Sequence, residues 1–139
     1  MNGIDTNVFV YSVDRNDPVK QAKAQQLLQS LRTTGTPTML LWQALGELVQ
    51  QLRRWHQQGK LSYAEFAQHI QAFRHLFPII LPTVNVLDRA LDLSQRYSLS
   101  HWDSMILGAC QDAGIDTLYT EDMGAPRKID TVNLVNPFQ

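Results

Sequence analysis

The chain has 139 residues, 44% hydrophobic and 18% charged, with a formal net charge of −1 at pH 7; one domain over residues 1–139 with a real core is expected. These values exclude disorder and leave no global field to attract a polyanion, and no apolar run approaches the roughly 18 residues of a membrane span. A lone cysteine, Cys110, excludes an internal disulfide and a multi-cysteine zinc site, while the lack of a signal-peptide layout makes a cytoplasmic location the expectation.

The opening MNGIDTNVFVY predicts a short first strand stopped at Asp5, because Asp, Thr and Asn bond local backbone. Asp17 before Pro18 is an N-cap followed by the first helical position, and Ala24, Leu27, Leu28 and Leu31 supply an apolar stripe up to about Thr33. Thr38 to Leu41 reads as a buried strand, leading into a helix with Leu45, Leu48, Leu52 and Trp55 on one side and a stop at Gly59. Ser62 and Glu65 form a capping box for a helix through Phe66, Ile70 and Phe73. Ile79 to Leu81 is a third strand, and Thr83 is placed to cap the helix that carries Val86, Ala90 and Leu91. Ser100 caps a helix from about Trp102 to Ala113, stopped by Gly114. Strands over 115–120 and 131–135 complete the pattern. Short apolar strands alternate with longer amphipathic helices and no hairpin signal, which predicts an α/β fold: a three-layer α/β/α sandwich with a central, mostly parallel sheet of four to five strands.

Most of the thirteen acids fall at caps, loops or polar helix faces. Asp5 and Asp122 end strands and Glu47 follows one, so in an open parallel sheet all three line the crevice at the carboxyl edge. Asp103 joins them if its helix begins at that edge. Singly, each has an ordinary reading: a turn or cap for Asp5, a turn for Asp122, a polar helix face for Glu47, a Ser-x-x-Asp cap for Asp103. Converging, four carboxylates would repel unless a cation neutralised them, and an all-oxygen set suits Mg²⁺ or Mn²⁺. An acidic crevice of this kind accepts a polyanionic substrate through the metal.

The segments DTNVFVYSVD, ALGELVQQL, YSLSHWDSMILGACQDAGIDTLYTEDM and LVNPF resemble the PIN-domain nucleases, and among them the VapC-type toxins of toxin–antitoxin pairs. The resemblance implies catalytic and metal-binding roles for Asp5, Glu47, Asp103 and Asp122, and supporting roles for Thr120 and Asn7. It implies Mg²⁺- or Mn²⁺-dependent endoribonuclease action on single-stranded RNA by an activated water, leaving 5′-phosphate and 3′-hydroxyl ends. It also implies homodimers and a VapB-type antitoxin partner inserted in the crevice. Where many relatives carry Gln-His-Gly after the last acid, this chain has Met123 to Lys128, which makes Arg127 and Lys128 candidates for RNA-phosphate contacts.

Two other readings compete. A haloacid-dehalogenase-like phosphatase also carries an Asp after its first strand, but needs a second acid two residues on, where this chain has Asn7. A catalytically silent PIN-like module would bind antitoxin or RNA in repression without using the acids. Trp42, Trp55 and Trp102 match apolar helix faces and are expected in core or dimer packing rather than base stacking.

Overall fold

The computed structural model describes residues 1–139. Strands β1 (Asn2–Ile4), β2 (Thr38–Leu41), β3 (Ile79–Ile80), β4 (Thr117–Tyr119), β5 (Arg127–Ile129) and β6 (Val132–Val135) form one sheet in the order β3-β2-β1-β4-β6-β5. All neighbours are parallel except the antiparallel β5–β6 pair. The helices are α1 (Thr6–Ser12), α2 (Pro18–Thr33), α3 (Trp42–Gln57), α4 (Tyr63–Leu76), α5 (Asn85–Tyr97) and α6 (His101–Ala113).

The expected three-layer sandwich is present, because successive strand residues alternate between faces. Leu40 points into a core with Val8, Phe9, Leu28, Leu48, Leu52 and Phe73 from α1 to α4. Leu41 points the other way, into a core of Leu93, Ile106, Leu107 and Cys110 from α5 and α6. The acid-bearing edge is held between these two layers. No helix is long and apolar enough to cross a membrane.

Three local expectations need correction. Residues 6–12, where the sequence pattern predicts no helix, form the seven-residue α1, and Asp5 accepts from the Thr6 amide as its N-cap, the cap alternative for that residue. A hairpin exists despite the missing signal, and β5 adds a sixth strand to the expected four or five. Its turn uses Asp130 at φ 50°, a conformation glycine usually supplies but Asp tolerates. The Asp130 carboxylate is clamped by Tyr97 Oη at 2.6 Å, Arg96 Nη1 at 2.9 Å and Gln111 Nε2 at 3.1 Å, which ties the hairpin to α5 and α6.

Thr83 does not cap α5, whose N-cap is Val84 without a side-chain bond. Its hydroxyl donates instead to Asp112 Oδ2 at 2.6 Å, in the last turn of α6. Residues 81–84 therefore carry the chain back to the amino edge of the sheet before α5 begins, and α6 must start at the carboxyl edge. That satisfies the condition placed on Asp103. Ser100 caps α6 through the Asp103 amide and Gly114 ends it in the left-handed conformation, φ 74°, as the sequence predicts.

Candidate active site

A cleft of about 930 Å³ opens at the carboxyl edge, and Asp5, Glu47, Asp103 and Asp122 all line it. β1 delivers Asp5, the first two turns of α3 deliver Glu47, the first turn of α6 delivers Asp103, and the loop after β4 delivers Asp122. The topology thus brings together side chains separated by up to 117 positions in the sequence.

Asp5 is the buried corner, only 6% exposed. Its Oδ1 accepts from the Thr6 amide at 2.7 Å and its Oδ2 from Thr120 Oγ1 at 2.9 Å. No cation of the protein touches it. Burial pushes its carboxyl from 3.8 up to about 6 against the opposing pull of these two hydrogen bonds, with the neighbouring Asp122 and Glu47 charges adding to the rise.

Thr120, fully buried, is a junction. Its hydroxyl oxygen accepts from the Asp122 amide at 3.0 Å and from Asn7 Nδ2 at 3.2 Å while its proton goes to Asp5. Asn7 Nδ2 also donates to Asp122 Oδ2 at 3.1 Å. The Asp122 carboxyl lies above its ordinary value, first through partial desolvation and then through the Asp103, Glu121 and Glu47 charges. Both residues expected in support therefore touch the acids directly.

Replacing Thr120 by Val should remove a donor from buried Asp5 and leave the Asp122 amide without its acceptor, costing about 2 kcal/mol. Thr120→Ser should restore most of this. Thermal melting of the two variants checks it, and a Val variant as stable as the parent would show that the hydroxyl is dispensable.

Glu47 is positioned by two residues that the sequence reading passed over. Thr6 Oγ1 contacts its Oε2 at 3.2 Å and Gln43 Nε2 donates to its Oε1 at 2.7 Å. Gln43 Nε2 also reaches the Trp102 carbonyl at 3.0 Å, linking Glu47 to the residue before Asp103. The signal for Gln43 was its place one turn before Glu47 on the same helix face.

A fifth cleft acid, Glu121, differs from these four. Lys20 Nζ sits 2.9 Å from its Oε2 and Tyr11 Oη donates to its Oε1 at 2.8 Å, so the chain neutralises it internally. The four expected acids have no such partner. Their donor set is wholly oxygen, and the buried Asp5 carboxyl faces acids rather than cations, which is the environment a hard divalent ion fits. No three acidic, histidine or cysteine side chains close into a tight ligand group. Mg²⁺ does not require one, since it keeps several waters and is commonly held through one or two carboxylates.

Arg127 and Lys128 are placed elsewhere, exposed on β5 and absent from the cleft lining. The Arg127 guanidinium lies 5.7 Å from the Tyr97 ring centroid. Trp55 packs against the α1–α4 core as expected, whereas Trp42 and Trp102 are 53% and 62% exposed and border a separate apolar groove of about 360 Å³.

Residues 4–130 match the family model described as PIN domain. No curated protein sequence gives a significant match. Among solved structures, a toxin–antitoxin complex from Klebsiella pneumoniae superposes with a TM-score of 0.69 at 20% identity, covering 99% of this chain and 98% of that one. VapC20 of Mycobacterium tuberculosis, a sarcin–ricin loop cleaving toxin, gives 0.68 at 17% identity over 89% and 92% of the two chains. VapBC2 of Rickettsia felis, bound to a DNA fragment from its promoter, gives 0.69 at 14% identity over 96% of each. At these identities the likeness establishes a shared fold.

Proposed function

The chain belongs to the PIN-domain family, and from that premise we propose that it is a divalent-metal-dependent endoribonuclease, the toxin of a toxin–antitoxin pair. The observation that carries the reading is the convergence of Asp5, Glu47, Asp103 and Asp122 on one cleft without an internal counter-cation, beside a fifth acid that has one.

Asp5, Asp103, Asp122 and Glu47 would hold Mg²⁺ or Mn²⁺, with Thr120 and Asn7 fixing the orientation of Asp5 and Asp122. A bound ion of this kind lowers the pKa of water and neutralises charge developing on a phosphodiester. The side chains supply position rather than a nucleophile. Thr6 and Gln43 hold Glu47 facing the cleft, and the Thr6 amide and Thr120 hydroxyl hold Asp5 still. In the reaction, a water oxygen bonds to phosphorus, the P–O3′ bond breaks, and the water's proton ends on the leaving 3′ oxygen. The products are 5′-phosphate and 3′-hydroxyl ends.

The protein would act on single-stranded RNA in the cytoplasm as a homodimer, silenced by a VapB-type antitoxin. The toxin–antitoxin complexes among the structural relatives support such a partner. Sequencing RNA ends after induced expression tests the reading. New 5′-phosphate ends are expected with the parent and their loss with Glu47→Gln; ends of equal abundance in both would overturn it.

A further inference from the structure

Gly46 lies inside the 16-residue α3, where glycine is less favourable than alanine by roughly 0.5–1 kcal/mol. Packing does not explain it. A Cβ built there has no neighbour within 4 Å, and the open space above it belongs to the cleft. Glycine at such a place lets another backbone approach closely.

The same helix face continues away from the acids. Gln43, Glu47, Gln50 and Arg54 follow at spacings of four, three and four, which aligns them along one side of α3, and all line the cleft with Gln51. Arg54 is the only lysine or arginine among the cleft residues. It lies seven residues, about 10 Å, beyond Glu47 along the axis. Unlike Lys20, it is in no ion pair. An unpaired guanidinium at the far end of an acidic cleft offers a planar fork for a phosphate. The amides of Gln50 and Gln51 between the two ends can both donate and accept, which suits ribose hydroxyls.

We propose that this face of α3 is the track of the polynucleotide strand, with the sugar–phosphate backbone seated against Gly46 and a phosphate neighbouring the scissile one held by Arg54. The proposal rests on the nuclease reading of the acids, since it takes the substrate to be single-stranded RNA. It assigns Arg54 a binding role and Gly46 a role in strand access.

The test is fluorescence-anisotropy binding of a short labelled single-stranded RNA of mixed sequence, with Ca²⁺ replacing Mg²⁺ to keep the strand uncut, over a series of salt concentrations. Arg54→Gln should weaken binding about fivefold and flatten the salt dependence by roughly 0.7, the loss of one phosphate contact on a single strand. Gly46→Leu should weaken binding about tenfold while melting no lower than the parent, because its side chain fills the track and improves the helix. Arg53→Gln, one residue away and outside the cleft lining, should match the parent. Absence of binding by the parent, parent-like binding by either cleft variant, or an equal loss in Arg53→Gln would each overturn the proposal. Cleavage is measured separately in Mg²⁺: a protein that binds through Arg54 yet never cuts would remove the nuclease reading alone.

Discussion

Asp5→Asn is expected to reduce RNA cleavage by on the order of 10³-fold, as loss of a central electrostatic group in a reaction site does, and at the same time to raise the metal-free melting temperature at neutral pH. The two effects share one cause. The Asp5 carboxyl titrates at about 6 in the folded protein against an ordinary 3.8. The folded state therefore holds its proton longer than the unfolded one. The group's contribution to stability is fullest below 3.8 and declines as pH rises to about 6, and the ionised carboxylate costs the metal-free fold about 3 kcal/mol at neutral pH.

Asparagine keeps an oxygen for the Thr6 amide and so preserves the N-cap of α1. Its amide N–H₂ would face a Thr120 hydroxyl oxygen that already accepts from Asn7 and the Asp122 amide, so one donor is poorly satisfied and offsets part of the gain. A net stabilisation of about 1–2 kcal/mol, or roughly 5 °C, is expected. Adding Mg²⁺ should raise the parent's melting temperature, more at neutral pH than near pH 4 where protons compete for Asp5, and leave the variant nearly unmoved. Melting curves with and without Mg²⁺ at the two pH values check this. A variant that melts lower than the parent without metal, or responds equally to Mg²⁺, would remove Asp5 from the metal site.

A large stability loss is expected from Gly108→Ala. On propensity alone alanine would strengthen a helix interior by roughly 1 kcal/mol. Here a Cβ would stand 2.9 Å from the Val86 carbonyl oxygen and 3.2 Å from the Ala90 amide nitrogen, both backbone atoms of α5. Backbone cannot yield as the end of a side chain can, so α5 and α6 must separate, and the repulsion exceeds the propensity gain. A net loss of about 2 kcal/mol is expected, seen as a melting temperature lower by roughly 5–10 °C. Because α6 carries Asp103 in its first turn, cleavage should fall in parallel even when the variant is folded. Gly46→Ala is the matched control: with nothing within 4 Å of its Cβ, it should melt slightly higher than the parent. Equal melting of the two glycine variants would show that α5 and α6 tolerate separation.

Legibility in the sequence followed the range of the interactions involved. The five helices α2 to α6 and the strand at 38–41 were readable because caps, stops and apolar spacing act within a few residues; Ser62 with Glu65 and Ser100 with the Asp103 amide both form the bonds their spacing predicts. Helix α1 was not, since its seven residues are held by the packing of Val8 and Phe9 beneath α2 and α3 more than by local propensity. Strand β5 was hidden for a similar reason: Arg127 and Lys128 carry no apolar alternation, and the hairpin depends on Asp130 being clamped from α5 and α6.

The acids divide along the same line. Strand and helix order alone determined that Asp5, Glu47 and Asp122 would share an edge, because parallel topology leaves few places for them. Only the tertiary structure decided that Asp103 joins them, through the return of residues 81–84 beside Asp112. It alone decided that Glu121 is neutralised by Lys20 while Asp5 is not, that Gln43 and Thr6 hold Glu47, and that Gly46 is open where Gly108 is closed. Sequence spacing determines which face a residue occupies within its own element; burial, charge pairing and free space depend on what other elements bring to that face.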